Sequence, residues 1–316
     1  PGGTQKGSCG TDCLPPVQVI MWQSYEYEEV KTIYKKVKEI TEIDIAKVSF
    51  EGPEEILNKT EITQLAVLTQ SLAILEVLKR YNIKSNMLAG LSLGEYTALI
   101  EDGVLDFETG IKIVQKRGQI MQDFIPEGKW KMAAVMGAEE ELVKDICNNV
   151  KGFVKPANYN TIGQIVISGE EESVLEAAEI LKESGAKKVT ILNTAGPFHT
   201  EKLDKASQAF KAELEKINIK SKNSKVLKNL DGKKYKVNDN ICEILSNHIT
   251  NPVRFTNCLK EMYKNGIDTF IEIGPGKTLS GFVKRMKFEK PINILNINSV
   301  KTLENVLTEL SRKEND

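Results

Sequence analysis

Three residues in this chain have the types and settings that acyl chemistry needs. Ser92 sits in Gly90-Leu91-Ser92-Leu93-Gly94, a G-x-S-x-G pattern. An apolar stretch, Asn86 to Gly90, leads in, and a helix-like stretch, Glu95 to Ile100, leads out. In that context the pattern means a nucleophile elbow. Glycines two residues to either side let the chain turn too tightly for a Cβ, and the serine hydroxyl stands exposed at the apex. The helix that follows aims its positive end where an oxyanion would develop. The structural alternative is an N-cap serine between two loop glycines.

A serine of this kind needs a base. The 316-residue chain contains only two histidines, so the base is His199 or His248. His199 lies in Gly196-Pro197-Phe198-His199-Thr200, a stiff loop between a strand and a helix. His248 lies near the end of a helix, where an imidazolium is favoured by the dipole and capping is the plainer role. We favour His199. No acidic residue marks itself as a third member; Asp231 and Asp268 are the positional candidates, and a backbone carbonyl would serve as well. Arg117 is the third singular residue. Gly118 beside it is costly in mid-helix and suggests a close approach. A guanidinium there suits a substrate carboxylate, against the alternative of a solvated surface arginine. Asn158 and Asn160 read as turn residues at a strand end.

The elements that must position these residues alternate between strand and helix. Val30, Ile33, Tyr34, Val37 and Ile40 form one face of an amphipathic helix, and Glu61 to Arg80 is apolar on most sides, which predicts a helix buried against a sheet. Met87–Leu91 reads as the strand before the elbow, and a helix covers about Phe107 to Phe124. Beyond Ile125-Pro126-Glu127-Gly128 the order becomes β-α-β-β-α-β over about 65 residues, a ferredoxin-like split unit. A helix over about Thr200 to Ile217 then returns to the first unit. Residues 220–236 are lysine-rich and strand-poor, a solvated face or a dock for an acidic partner. Further helices and strands, including Thr269–Ile273 and Ile292–Ile297, argue a mostly parallel, doubly wound sheet.

Bulk composition is that of an ordinary globular protein, with 41% hydrophobic and 28% charged residues. A net charge of -1 provides no global field for nucleic acid or membrane. No run of transmembrane length and no signal peptide are read, and five scattered cysteines suit reduced thiols, so a cytoplasmic location is expected. Cys9 and Cys13 form a lone C-x3-C without a second ligand pair, so no metal is expected. P-loop and dinucleotide glycine motifs are absent from the sequence.

Taken in order, the motifs resemble the malonyl-coenzyme A:acyl carrier protein transacylases of type II fatty acid synthesis. The anchors are Gly90-Leu91-Ser92-Leu93-Gly94-Glu95-Tyr96, Gln115-Lys116-Arg117-Gly118, Ala157-Asn158-Tyr159-Asn160, Gly196-Pro197-Phe198-His199, Thr250-Asn251-Pro252-Val253-Arg254-Phe255 and Glu272-Ile273-Gly274-Pro275-Gly276. The resemblance implies a hydrolase-like α/β core (residues 1–126 and 196–316) with an inserted ferredoxin-like small domain (residues 127–195). It implies Ser92 as acyl carrier, His199 as base, the backbone carbonyl of His248 as the group holding the imidazole, and Arg117 as partner of the malonate carboxylate. Leu93 and Gln5 match the two oxyanion donors, and Phe198 is typical of malonyl-selective members. The implied substrates are malonyl-CoA and a carrier protein, with no cofactor and a monomeric enzyme. The N-terminus departs from the family: Gly2-Gly3-Thr4-Gln5 is a shortened match to its opening motif, and residues 8–24 match nothing in it. Two rivals stand beside this reading: a serine esterase or thioesterase, and a catalytically impaired carrier-binding module.

Overall fold

The structure is a computed structural model that describes residues 27–194, 196–220 and 222–313. The expectations placed on Gln5, Cys9, Cys13 and the N-terminal match lie outside the described residues.

The first part is helical: α1 (Glu28–Thr41), α2 (Ile45–Glu51), α3 (Glu54–Leu57) and α4 (Thr60–Arg80). α1 buries Val30, Ile33, Tyr34 and Val37, the face its periodicity marked. α4 is long and apolar enough to cross a membrane, but it is largely buried inside the protein, packed against α1 and α6. Leu65, Leu68, Leu72 and Val77 are all within the core. α5 (Gly94–Glu101) follows the elbow. α6 (Phe107–Asp123) begins where the Asp106 side chain accepts the Thr109 N–H at 3.0 Å.

Six elements then run β1 (Trp130–Met136), α7 (Glu140–Asn149), β2 (Val154–Thr161), β3 (Gln164–Glu170), α8 (Glu171–Glu183) and β4 (Lys188–Leu192). Their antiparallel sheet has the order β2-β3-β1-β4. The pleat sorts side chains by period two. Ala133 and Val135 face a core made with Val143, Ile146, Val174 and Leu181 of the two helices. Met132 and Ala134 face the opposite way, with Val166, Leu192 and, at the edge, Phe198. Asn158 and Asn160 are interior residues of β2 rather than turn residues. The reason is a further pairing: Tyr159 N–H donates to Val253 O at 2.7 Å and Val253 N–H to Ala157 O at 2.9 Å, so the ladder continues into the segment after α10.

The chain continues with a 3-10 turn (Glu201–Leu203), α9 (Asp204–Leu214), α10 (Ile241–Thr250), α11 (Phe255–Lys264), β5 (Thr269–Ile273), α12 (Thr278–Arg285), β6 (Asn293–Ile297) and α13 (Val300–Lys313). The helix expected over Thr200 to Ile217 is therefore split and shorter. β5 and β6 pair in parallel. Met87–Leu91 is not a full strand: among the described residues it makes one parallel bridge, Leu88 to Val226. The parallel sheet thus consists, among the described residues, of these two pieces. The lysine-rich segment is also not a plain solvated face. Val226, Leu227, Asn229 and Tyr235 are fully buried, and Lys228 is tucked in beside Asp239 at 3.1 Å.

Candidate active site

The elbow needs the first of its two glycines, whereas a Cβ on Gly94 would meet nothing within 4 Å. A Cβ on Gly90 would lie 2.0 Å from the Gly94 carbonyl carbon, so no larger residue fits there. Ser92 at the apex has φ +49°, a left-handed conformation that a serine rarely adopts. Leu93 follows as the residue that opens α5.

Two side chains converge on the Ser92 hydroxyl. Its Oγ lies 3.0 Å from His199 Nε2 and accepts from Arg117 Nη2 at 2.9 Å. The imidazole is fixed on its other side: His199 Nδ1 lies 2.9 Å from the His248 backbone oxygen. A carbonyl only accepts, so Nδ1 carries the hydrogen and Nε2 is the free acceptor. Ser92 Oγ thus accepts from the guanidinium and donates to the imidazole. Burial and the nearby Arg117 charge push the His199 pKa down to about 4, against a smaller raising effect of the His248 carbonyl. The ring is neutral, as a base must be. Neither Asp231 nor Asp268 holds it. Asp231 is bonded within its own turn to Lys233 N–H, and Asp268 accepts from Thr269.

His248 is not an exposed cap. Its imidazole is 1% exposed, with its ring centroid 5.2 Å from that of His199. Burial first, then His199 and Arg117, hold its pKa well below the usual range, so it is neutral and not the dipole-stabilised imidazolium expected at a helix end. Its 3.5 Å approach to Glu95 Oε2 is accordingly a contact with a neutral ring, not an ion pair.

Arg117 is not a solvated surface residue either. It is 1% exposed on α6, donates from Nη1 to Gln64 Oε1 at 2.5 Å, and its guanidinium carbon lies 5.3 Å over the Tyr96 ring. Gly118 explains how it arrives there. A Cβ at that position would lie 2.5 Å from Glu61 Cα, so α6 crosses the first turn of α4 in backbone contact. That contact lays Arg117 beside Gln64.

Three residues in this site, Gln64, Asn229 and Tyr235, lie in no motif that reading the sequence singled out, and Glu95 stood in the elbow motif with no role assigned to it. Asn229 Oδ1 accepts the Ser92 N–H at 2.7 Å, and its Nδ2 donates to Gly90 O at 2.7 Å. The Asn229 N–H donates to Glu95 Oε2 at 3.1 Å, and the Tyr235 hydroxyl donates to Glu95 Oε1. Complete burial raises the Glu95 pKa to about 7, with the Tyr235 and Asn229 hydrogen bonds opposing. The only signal for Asn229 was the Asn-Leu-Asp-Gly turn pattern inside a stretch that its lysines dominated. No group of three or more His, Cys, Asp or Glu residues placed to hold a metal ion occurs among the described residues.

A serine on a strained turn at a helix start, paired with a neutral imidazole, defines a serine-nucleophile acyl-transfer protein of α/β class. The acyl transferase domain family matches residues 27–302. The malonyl CoA-acyl carrier protein transacylase of Bacillus subtilis is 37% identical over 296 residues, covering 92% of both chains. Among solved structures, the malonyl CoA-acyl carrier protein transacylase of Clostridium perfringens is 41% identical with a TM-score of 0.87, covering 93% of each chain. A malonyl-transacylase solved in complex with its type II PKS acyl-carrier protein is 32% identical with a TM-score of 0.86, covering 92% of this chain and 94% of that one. The chain belongs to the acyl transferase domain family and, within it, to the malonyl CoA-acyl carrier protein transacylases.

Proposed function

We propose that the protein moves a malonyl group from malonyl-CoA to the phosphopantetheine thiol of an acyl carrier protein, in fatty acid synthesis, through an ester on Ser92. In the first half, His199 Nε2 takes the hydroxyl proton as Ser92 Oγ attacks the thioester carbon. The C–S bond breaks, and the proton passes from His199 to the departing CoA thiolate. In the second half the carrier thiol gives its proton to His199 and attacks the ester, and Ser92 Oγ leaves with that proton. The Leu93 N–H is the oxyanion donor beside the nucleophile, and Gln5, outside the described residues, is the second. The His248 carbonyl holds the imidazole in the right tautomer. These groups supply every proton and charge the reaction needs, so no cofactor is assigned beyond the substrate.

The observation that carries the malonyl assignment is Arg117. A fully buried guanidinium beside the nucleophile hydrogen-bonds, among the described residues, to neutral acceptors, the Gln64 amide and the Ser92 hydroxyl. A buried cation so placed favours an anionic partner, and the free carboxylate of malonate meets it bidentately. The named activity of the relatives supports the same acyl group, and the complexed relative supports a carrier protein as partner. We assign the β-α-β-β-α-β unit, residues 127–195, to a ferredoxin-like small domain inserted in the core of residues 1–126 and 196–316. We assign a monomer in the cytoplasm; the free Cys147, Cys242 and Cys258 support the reducing compartment.

Incubation with radiolabelled malonyl-CoA tests the proposal. A hydroxylamine-sensitive malonyl-enzyme in wild type, absent in Ser92→Ala and discharged by a carrier protein, is the expected result. Rapid release of free malonate would make the protein a hydrolase.

A further inference from the structure

The strained elbow is held at both ends by one side chain that no motif announces. Asn229 has no exposed surface. Its amide oxygen takes the N–H of Ser92, and its amide nitrogen holds the carbonyl of Gly90, each at 2.7 Å. The two bonds straddle the turn that forces Ser92 to φ +49°. Asn229 is itself anchored through its backbone, its N–H to Glu95 and its carbonyl accepting the Arg254 N–H at 2.7 Å. Glu95 is anchored by Tyr235, and its other face meets the imidazole of His248, whose carbonyl orients His199. A single buried carboxylate therefore touches the supports of both reacting side chains.

We propose that Asn229 is a positioning residue for the nucleophile: its amide clamps the elbow so that Ser92 Oγ is held between His199 and Arg117, and Glu95 fixes the clamp. An unclamped Ser92 would relax toward ordinary dihedrals and carry its hydroxyl away from Nε2. Misplacement of a reacting atom by about 1 Å costs on the order of 10²-fold in rate. The clamp acts on the attack itself and not on substrate affinity, since Asn229 lies under the elbow, bonded to its backbone. The inference rests on Ser92 being the nucleophile.

The test uses Asn229→Ala and Asn229→Asp in the full chain, with two rates: labelling of Ser92 by a fluorophosphonate, and malonyl loading at saturating malonyl-CoA. Asn229→Ala should slow both by about 10²-fold with KM for malonyl-CoA nearly unchanged. Asn229→Asp keeps the shape and the acceptor for Ser92 N–H, but an ionised carboxylate has no hydrogen for Gly90 O. Its rate relative to wild type should therefore rise as pH falls and the new carboxyl protonates. The titratable groups packed around that carboxyl are Glu95, Tyr235, His248, Arg117, Lys228, Asp231 and Cys258; Glu95 accepts the N–H of the same residue and titrates together with it, so the ratio reads the proton that the coupled pair gains, which wild type cannot place on residue 229. A residue that merely filled space would lower melting temperature without moving this ratio. Wild-type labelling rates in folded Asn229→Ala, or an Asn229→Asp ratio of one at every pH, would overturn the proposal. A wild type that reacts with the fluorophosphonate but takes no malonyl group would overturn the malonyl assignment and leave the clamp standing.

Discussion

Arg117 Nη2 and Ser92 Oγ are 2.9 Å apart, so the buried cation proposed to recognise the substrate is bonded to the atom proposed to attack it. A carboxylate entering the site competes with Ser92 and Gln64 for the same guanidinium. On the proposed function, recognition and attack would be coupled at one hydroxyl: a malonate carboxylate would draw the guanidinium toward itself and leave Ser92 Oγ hydrogen-bonded to His199.

Arg117→Ala should consequently change the acyl preference rather than only the rate. Loss of two charge-assisted hydrogen bonds, each about 1.5–3 kcal/mol net, should cut kcat/KM for malonyl-CoA by two orders of magnitude or more. Acetyl-CoA has no carboxylate to lose and should be spared or improved. Arg117→Lys should recover only part, because an ammonium lacks the fork. The measurement is the ratio of the two specificity constants; parallel losses would make Arg117 structural.

The acid side of the pH profile should be unusually flat. His199 has a pKa of about 4, below the ordinary 6.5, so Nε2 stays unprotonated and malonyl loading should persist to about pH 5. Stability moves differently. His199 is depressed in the fold, so the unfolded chain binds the extra proton and stability falls as pH drops from 6.5 through 4. Glu95 is raised from 4.5 to about 7, so its contribution is full below 4.5 and is lost as pH rises through 7. Glu95→Gln mimics the neutral form. Its melting temperature should therefore change less than that of wild type between about pH 4.5 and 7, where folded and unfolded Glu95 differ in protonation; an identical pH dependence would show that Glu95 is already ionised in that range.

Gly118→Ala should destabilise the protein although alanine is the better helix former. The propensity gain is about 1 kcal/mol. The added Cβ, 2.5 Å from Glu61 Cα, has no flexible atom to push aside, and overpacking of this kind costs about 1–3 kcal/mol. Urea unfolding should give a net loss, and malonyl selectivity should weaken as α6 and Arg117 shift. A stabilised variant would mean that α4 gives way easily.

Much of this was legible because it was written in local pattern. The elbow announced itself through its two glycines, of which the turn sterically requires Gly90, the amphipathic face of α1 through its period, and the Gly118 contact through its cost in a helix. What stayed hidden was held by long-range bonds. Asn229 is 137 residues from Ser92, and nothing in its neighbourhood distinguishes it from a surface turn. The buried state of Arg117 and His248 was equally invisible, since a charged or helix-end residue reads as exposed until the packing around it is known. The full strand expected over Met87–Leu91 fails because apolar residues specify burial, not pairing, and only Leu88 bridges a neighbour among the described residues.

The two histidines should separate cleanly, in a way their similar burial conceals. His199→Ala removes the proton acceptor 3.0 Å from Ser92 Oγ, and a positioned base is worth about 10²–10⁴-fold, so malonyl loading should fall by that factor with modest change in KM. His248→Ala leaves its backbone carbonyl in place, and that carbonyl is the atom 2.9 Å from His199 Nδ1. Removing its imidazole, however, opens a cavity between Glu95 and the His199 ring in a region with almost no solvent access. The expected result is therefore a lower melting temperature with a loss of rate well below that of His199→Ala. Melting curves and single-turnover loading of the two variants, side by side, decide the matter. Equal losses of rate at equal stability would mean that the His248 imidazole takes part in the proton path, and the carbonyl alone would no longer account for the orientation of the base.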